Sequence, residues 1–228
     1  MSDTALPREL GRLRAGELLV NELFLSIQGE STHAGKPCFF IRLTGCPIRC
    51  VWCDSEYSFF EGEVMSVDTV VDRALASGAR LVEVTGGEPL VQKSCRDLLA
   101  RLADAGLEVL LETSGAVPID RVDPRVKRIV DWKCPGSGME ARNDPSVLDE
   151  LRPGDELKLV LSGREDYEWA RELLRKTRIP AGVPVLFAPV FGVLRPDELA
   201  AWILADRIPV RLNLQLHKWI WDPKARGV

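Results

Sequence analysis

Short apolar runs alternate along this chain with longer amphipathic stretches, and the alternation limits the folds that it can adopt. The apolar runs predict strands at 20–25, 38–43, 80–84, 107–111, 127–131, 156–161, 183–188 and 210–214. The amphipathic stretches predict helices at 67–77, 90–105, 167–175 and 196–205. Strands buried on both faces and separated by helices are typical of a parallel sheet built from βα units. We therefore predict an α/β fold whose parallel sheet is either open or closed into a complete or partial barrel.

Polar segments follow several of the predicted strands at the point where each strand ends. The segment TGGEP (85–89) follows the third strand, ETSG (112–115) the fourth and DWK (131–133) the fifth. A loop rich in cysteine (44–60) follows the second strand. Because the carboxyl ends of parallel strands meet at one edge of a sheet, we expect these segments to form a single site there.

Length and charge set further bounds. With 228 residues the chain is most simply one domain (1–228), with a charged lead-in at 1–19 and a core at about 20–221. A net charge of −4, without a basic stripe interleaved with aromatic residues, does not favour a nucleic-acid partner. No apolar stretch reaches the roughly 18 to 20 residues that cross a bilayer, and the first residues do not resemble a secretory signal. We expect a cytoplasmic protein that binds neither nucleic acid nor a membrane.

Three of the six cysteines lie within eight residues, as Cys46, Cys50 and Cys53 in a C-x3-C-x2-C pattern. A structural zinc site needs four ligands, and Cys134 is an isolated candidate for the fourth. Three closely spaced thiolates suit a 4Fe–4S cluster in which one iron lacks a protein ligand and can bind another molecule. A zinc site and clustering by chance remain open. We expect Cys38, Cys95 and Cys134 to be packing residues.

The cysteine motif, with Trp52 at its aromatic position, together with the GGEP of segment 85–89 resembles the signature of the radical S-adenosylmethionine (SAM) superfamily. In that superfamily the fourth iron chelates SAM, whose reductive cleavage gives methionine and a 5′-deoxyadenosyl radical. The resemblance implies that Cys46, Cys50 and Cys53 are catalytic cluster ligands. The SAM contacts that it implies are Trp52, Cys53, Asp54, Gly87, Glu88, Ser114, Asp131 and Lys133.

Four further segments narrow the resemblance: 24–35 with its IQGE core, 40–45 before the first cluster cysteine, Cys53-Asp54-Ser55, and QLHK at 215–218. Together they resemble the 7-carboxy-7-deazaguanine synthase family over nearly the whole chain. The resemblance implies an incomplete parallel β/α barrel and a carbon–nitrogen lyase of queuosine and 7-deazapurine biosynthesis. Such an enzyme converts 6-carboxy-5,6,7,8-tetrahydropterin to 7-carboxy-7-deazaguanine with loss of ammonia and needs Mg²⁺.

The same resemblance implies roles for individual residues. The residues expected to bind the pterin are Ile27, Gln28, Gly29, Glu30, Arg42, Thr85, Gln215 and His217. Ser55 is expected to ligate Mg²⁺ through its hydroxyl, and His217 to assist a proton transfer. We expect Gln215 and His217 to share one face of a strand, since they are two residues apart, and His33 to lie at the surface.

The resemblance also implies partners: an electron donor such as flavodoxin or ferredoxin, and a second copy of the chain in a homodimer. Two alternatives remain at this point. A glycyl-radical-enzyme activase is also short and carries similar cysteine and glycine motifs, although it lacks the IQGE and QLHK segments. The other alternative is a binding module, without catalytic activity, that is held together by a metal.

Overall fold

The structure, a computed structural model, describes residues 5–228. Its strands are β1 Glu17–Ile27, β2 Pro37–Leu43, β3 Glu63–Ser66, β4 Leu81–Gly86, β5 Glu108–Thr113, β6 Lys127–Asp131, β7 Glu156–Leu161, β8 Val185–Pro189 and β9 Arg211–Leu212. Its α-helices are α1 Val67–Ala76, α2 Cys95–Asp104, α3 Ser146–Asp149, α4 Arg164–Lys176, α5 Pro196–Asp206 and α6 His217–Ile220. Short 3₁₀ helices cover Arg8–Arg12, Glu56–Phe59, Pro89–Val91, Pro135–Ser137 and Glu140–Arg142.

The strands form one sheet in the order β3-β1-β2-β4-β5-β6-β7-β8-β9. From β2 to β9 the neighbouring strands are parallel, whereas β1 and β3 are antiparallel to their neighbours. The sheet curves without closing, because β3 and β9 form its two edges. The predicted α/β fold with an incomplete parallel barrel is confirmed.

The first hairpin differs from the prediction of parallel strands. Strand β1 begins at Glu17, three residues earlier than predicted, and pairs antiparallel with β2 so that Ile27 faces Pro37. Only the loop 28–36 joins the two strands, and a parallel crossover needs a dozen or more residues. Strand β3 was not predicted, because its side chains are mostly exposed and give no apolar run.

Two further predicted boundaries are wrong. The helix predicted from residue 90 begins at Cys95, because Gln92 bonds through its side chain to the backbone of Leu19 and Thr44 and so holds the preceding segment in place. The last predicted strand is reduced to Arg211–Leu212. The chain then continues as a loop into α6, so Gln215 and His217 do not share a strand face.

Side chains of each parallel strand alternate between the helix-covered outer face and the inside of the barrel, the lumen. On β4, Val82 and Val84 join the main apolar core beneath the helices, whereas Leu81 belongs to a separate apolar cluster in the lumen. Cys95 and Cys134 are buried in the main core. Their placement agrees with packing roles.

The lumen is layered. Its lower layer, at the amino ends of the strands, is charged and comprises Glu108, Lys127 and Glu156. The middle layer is apolar and comprises Cys38, Phe40, Leu81, Leu110 and Ile129. The upper layer is again charged and comprises Arg42, Glu83, Glu112, Asp131 and Lys158. This upper layer opens toward the carboxyl ends of the strands, where a site is expected.

The loop 28–36 closes the lower end of the lumen. His33, predicted to lie at the surface, is only 6% exposed. Its Nε2 lies 3.1 Å from Glu108 Oε1 and its Nδ1 lies 3.5 Å from Glu156 Oε1. Thr32 N donates to Glu156 Oε2 at 3.0 Å. The prediction for His33 is wrong because three strands that are distant in sequence supply a polar pocket for its ring.

Candidate active site

A cavity of about 480 Å³ lies at the carboxyl ends of the parallel strands. Nearly all residues predicted for the site line it. They are Cys46, Cys50, Cys53, Trp52, Asp54, Ser55, Gly87, Ser114, Asp131, Lys133, Ile27, Gln28, Gly29, Glu30, Arg42, Thr85, Gln215 and His217. The structure thus brings the cysteine loop and the segment expected to bind the pterin to opposite walls of one chamber.

The cysteine loop is held in place by its own side chains. Arg49 Nη1 donates to the carbonyl of Cys46 at 2.7 Å, and the Arg49 guanidinium lies 4.1 Å from the centre of the Phe59 ring. Gly87 of β4's trailing loop packs directly against Cys46, since a Cβ at Gly87 would lie 2.7 Å from the Cys46 Cβ. A larger residue at position 87 would separate the glycine-rich segment from the cysteines.

The three thiols fit an iron–sulfur cluster. Cys46, Cys50 and Cys53 pack in one apolar cluster with Ile48 and Phe59, and none is in a disulfide. Burial raises the pKa of the Cys46 thiol to about 12, and also raises the pKa of Cys50 and Cys53. Such thiols stay protonated at neutral pH unless a metal takes the place of the proton. The nearby Lys133 favours the thiolate forms.

Within residues 5–228, no three His, Cys, Asp or Glu side chains converge where one metal ion could be held. A cube of four irons does not require such convergence, because each thiolate binds a different iron and the ligands surround the cube. The spread arrangement of these cysteines therefore suits a cluster better than a single zinc ion.

Glu88, predicted to contact SAM, lies behind the cavity wall. It is fully buried, and its Oε2 accepts hydrogen bonds from Ser114 N and Ser114 Oγ, both at 2.6 Å. Thr113 Oγ1 donates to the same carboxylate at 2.9 Å. In this structure Glu88 therefore fixes the loop after β5 and presents Ser114 to the cavity.

Asp131 and Lys133 form an ion pair at the end of β6, with Lys133 Nζ 3.0 Å from Asp131 Oδ1. Burial opposes both charges, but their mutual attraction outweighs it: the pKa of Asp131 is lowered and that of Lys133 is raised. The pair places one positive and one negative group beside the cysteines, where a zwitterionic methionyl group would find partners for both of its charges.

Arg42 is oriented by a partner on β1. Its Nε donates to Glu22 Oε2 at 2.9 Å, and the Tyr57 hydroxyl donates to the same oxygen at 3.1 Å. The terminal nitrogens of the guanidinium thus remain for a ligand in the cavity that Arg42 lines. A guanidinium held in this way is suited to bidentate pairing with a carboxylate.

His217 packs against Gly29. Leu216 N donates to Gly29 O at 2.8 Å, and a Cβ at position 29 would lie 2.3 Å from His217 Nδ1. Only glycine fits here, which explains the IQGE sequence at this point. Burial lowers the pKa of His217, so its ring is neutral at pH 7.

Lys158 of β7 is the main site residue that the sequence did not indicate. It is 4% exposed, and its Nζ donates to Glu30 Oε2 at 3.0 Å and to Glu112 Oε1, and lies 3.5 Å from Asp131 Oδ2. Burial opposes ionisation of Glu30, yet the Lys158 ammonium outweighs it and lowers the pKa of Glu30. A lysine in a strand expected to be buried on both faces was the available signal.

Asp54 is bonded to the segment that carries Gln215. Lys218 Nζ donates to Asp54 Oδ2 at 2.7 Å, and Gln215 Nε2 donates to the same oxygen at 3.3 Å. Although burial opposes it, the Lys218 charge lowers the pKa of Asp54 to about 2. Ser55, next in the chain, has its hydroxyl 3.8 Å from Cys53 Sγ. The cysteine loop and the QLHK segment are thereby joined across the cavity mouth.

Curated proteins similar to this chain share one name. One from Chlorobaculum tepidum is 49% identical over 215 residues, covering 92% of this chain and 97% of the relative, and is named 7-carboxy-7-deazaguanine synthase. One from Koribacter versatilis, with the same name, is 45% identical over 227 residues and covers 92% and 99% of the two chains. This chain belongs to the 7-carboxy-7-deazaguanine synthase family.

Two further comparisons agree with membership of the 7-carboxy-7-deazaguanine synthase family. A model of the Radical SAM superfamily matches residues 40–135, which include the three cysteines and the GGEP segment. The crystal structure of QueE from Escherichia coli superposes with a TM-score of 0.73 at 24% identity, covering 88% of this chain and 95% of that one. At that identity the superposition shows a shared fold only.

As a member of this family the chain is a radical SAM enzyme, and the family implies a 4Fe–4S cluster and SAM as its cofactors. This membership favours the synthase over the activase and the metal-held module. Among residues 5–228 no helix has the length and apolar character needed to span a membrane.

Proposed function

We propose that this chain converts 6-carboxy-5,6,7,8-tetrahydropterin to 7-carboxy-7-deazaguanine with loss of ammonia. The observation that carries the proposal is the pairing, within one cavity, of the three-cysteine wall with a facing wall that offers Arg42 and Glu30. The first wall suits a radical-generating cofactor, and the second suits a small acid with a guanidine-like edge. The names of the relatives support the same reaction.

Cys46, Cys50 and Cys53 would hold the 4Fe–4S cluster. When bound, the cluster and SAM supply a carbon-centred radical that can remove a hydrogen atom from the substrate. The chain contributes binding and orientation. Asp131 and Lys133 offer a charge pair to the methionyl group, and Ser114 offers a hydroxyl that Glu88 holds in place.

The substrate wall would fix the pterin at two points. Glu30, kept ionised by Lys158, can accept two hydrogen bonds from the guanidine-like edge of the pterin ring. Arg42, held by Glu22, can pair bidentately with the carboxylate on the pterin. Two charged contacts in a buried cavity orient the ring as well as bind it.

His217 is suited to accept a proton during loss of ammonia. Its ring is neutral because burial lowers its pKa, and a neutral imidazole nitrogen is a general base near pH 7. The ring lines the cavity beside Gly29 and therefore stands next to the residues expected to bind the pterin.

Mg²⁺ is the third cofactor that we propose, with the Ser55 hydroxyl as its protein ligand. Ser55 lines the cavity between the cysteine wall and the Arg42 wall. Mg²⁺ keeps several waters and takes few protein ligands, so a single hydroxyl supplemented by substrate oxygens is an adequate site.

Partners are proposed from the family resemblance. A flavodoxin or ferredoxin would reduce the cluster, and the chain would form a homodimer in the cytoplasm. Reduction of the reconstituted protein by each donor, and sedimentation equilibrium of the purified chain, test these two proposals separately.

Anaerobic turnover tests the proposed reaction. Reconstituted protein is supplied with SAM, Mg²⁺, a chemical reductant and the pterin acid, and products are followed by mass spectrometry. We expect 7-carboxy-7-deazaguanine and ammonia in equal amounts, with SAM acting catalytically. Cleavage of SAM without any carboxydeazaguanine would contradict the substrate assignment and leave family membership standing.

A further inference from the structure

Glu83 is a buried carboxyl group in the cavity wall to which neither the family motifs nor the proposed mechanism assigns a role. It lies on β4 in the upper layer of the lumen, is 3% exposed, and lines the cavity. Its Oε2 accepts a hydrogen bond from Gln28 Nε2. Beneath it the Cys38 thiol is part of the apolar middle layer.

The charges around Glu83 do not compensate it. The upper layer and the adjoining loop hold the four carboxyl groups of Glu30, Glu83, Glu112 and Asp131. Lys158 pairs with the other three. Within the described part of the chain, no ammonium or guanidinium lies within ion-pair distance of Glu83. A buried carboxylate without a cation is costly, whereas a neutral carboxylic acid is not.

The titration of Glu83 follows from this arrangement. Burial raises its pKa well above the ordinary value, and the negative charges of Glu112 and Glu30 raise it further. Lys158 and Arg42, which face it from other elements, lower the pKa by less than those effects raise it. The carboxyl group is therefore protonated at neutral pH. Since Oε2 accepts from Gln28, the acid proton resides on Oε1 and is available to the cavity.

Glu83 and Glu30 form a row with Gln28 between them. Glu30 N donates to Gln28 Oε1 at 2.8 Å, while Gln28 Nε2 donates to Glu83. Both ends of the Gln28 amide are thus used within the row. The row offers acceptors at Glu30 and a donor at Glu83.

The pyrimidine edge of a pterin has the complementary order. Its amino group and ring N–H donate, and the neighbouring lactam oxygen accepts. With Glu30 on the two donors, the next polar atom of the ligand needs a donor from the protein. We propose that Glu83 donates a hydrogen bond to the lactam oxygen and so determines which heterocycles bind. This assignment rests on the proposed function.

The test uses 6-carboxypterin, the stable oxidised form of the substrate, whose fluorescence reports binding to the reconstituted holoenzyme. Glu83→Gln keeps a donor toward the cavity and an acceptor for Gln28, as the neutral acid does. Glu83→Leu keeps bulk but removes the donor. Glu63→Gln, on exposed β3, is the matched control. Iron content and SAM binding are measured for each variant to establish that the rest of the site is intact.

We expect Glu83→Gln and Glu63→Gln to bind the probe within about twofold of the wild type, and Glu83→Leu to bind about tenfold more weakly, the equivalent of one good hydrogen bond. Equal losses in Glu83→Gln and Glu83→Leu would overturn the assignment, because Glu83 would then act as a charged carboxylate. Unchanged binding by Glu83→Leu would overturn it also. Failure of the wild type to bind 6-carboxypterin would instead refute the proposed function, and this assignment with it.

A second measurement covers the case in which Glu83→Leu does not fold. The infrared difference spectrum between wild type and Glu83→Gln at neutral pH should contain the C=O stretch of a protonated carboxylic acid. That stretch should shift when 6-carboxypterin binds. A carboxylate band in its place, or a carboxylic acid band that the probe does not shift, would contradict the assignment.

Discussion

Lys158 Nζ lies 3.0 Å from Glu30 Oε2, and this ion pair joins strand β7 to the loop that closes the lower end of the barrel. The same ammonium contacts Glu112 and lies 3.5 Å from Asp131. One buried cation therefore compensates carboxylates from three separate parts of the chain. The geometry of the substrate wall depends on it.

Replacing Lys158 by Met should destabilise the fold and abolish pterin turnover. Removing one partner of a buried ion pair leaves uncompensated charge, at a cost of about 3–5 kcal/mol in the free energy of unfolding. Urea denaturation and anaerobic turnover measure the two effects. Lys176→Met is the control, because Lys176 pairs with Glu172 on the exposed side of α4 and its loss should change little. Equal stability of the two variants would contradict the role given to Lys158.

Arg42→Lys should raise the KM for the pterin acid by about tenfold to a hundredfold without changing the KM for SAM. Lysine keeps the charge but cannot pair bidentately with a carboxylate. Glu22→Gln should have a smaller effect in the same direction, since it weakens only the bond that orients the guanidinium. Steady-state kinetics measure both constants. An unchanged KM for the pterin in Arg42→Lys would remove Arg42 from the substrate site.

The parts of the site that the sequence revealed are contiguous motifs at strand ends. Cys46, Cys50 and Cys53 lie on one loop, and the GGEP and IQGE segments are short runs of adjacent residues. Their meeting in one cavity follows from the parallel topology alone, because successive strands bring their carboxyl ends to one edge. The alternation of apolar runs likewise sufficed to predict the βα fold.

Lys158, Glu83 and His33 could not be assigned in the same way. Each acquires its role from partners on strands or loops distant in sequence, and those contacts depend on which face of a strand points into the lumen. A single sequence does not define that register. The antiparallel β1 was mistaken for a parallel strand because a buried apolar run looks the same in either direction.

Ser55→Ala should remove the response of the reaction to Mg²⁺, whereas Ser55→Thr should retain it. The alanine variant lacks the hydroxyl that we propose as the metal ligand, and loss of such a group costs at least about tenfold in metal affinity. The rate of product formation is measured as a function of Mg²⁺ concentration. Identical magnesium curves for Ser55→Ala and the wild type would place the ion elsewhere.

The lower end of the barrel should make the fold sensitive to acid. The hydrogen bond from Lys127 lowers the pKa of Glu108 to about 2, from an ordinary 4.5. A lowered carboxyl pKa contributes stability above its ordinary value, and that contribution is lost as the pH falls through the folded-state value. The free energy of unfolding should therefore fall between about pH 4.5 and about pH 2. Glu108→Gln should show a shallower fall, measured by urea denaturation; the same slope in both proteins would contradict this origin.

The central claim is that Cys46, Cys50 and Cys53 hold a cluster that can cleave SAM. Each is replaced by Ala, the proteins are reconstituted anaerobically, and iron content and 5′-deoxyadenosine are measured. Cys134→Ala is the control, since Cys134 is buried in the main core. We predict about four irons and full deoxyadenosine formation in the wild type and Cys134→Ala, and loss of deoxyadenosine formation in each of the other three. Undiminished deoxyadenosine formation after loss of any one of the three cysteines would contradict the account.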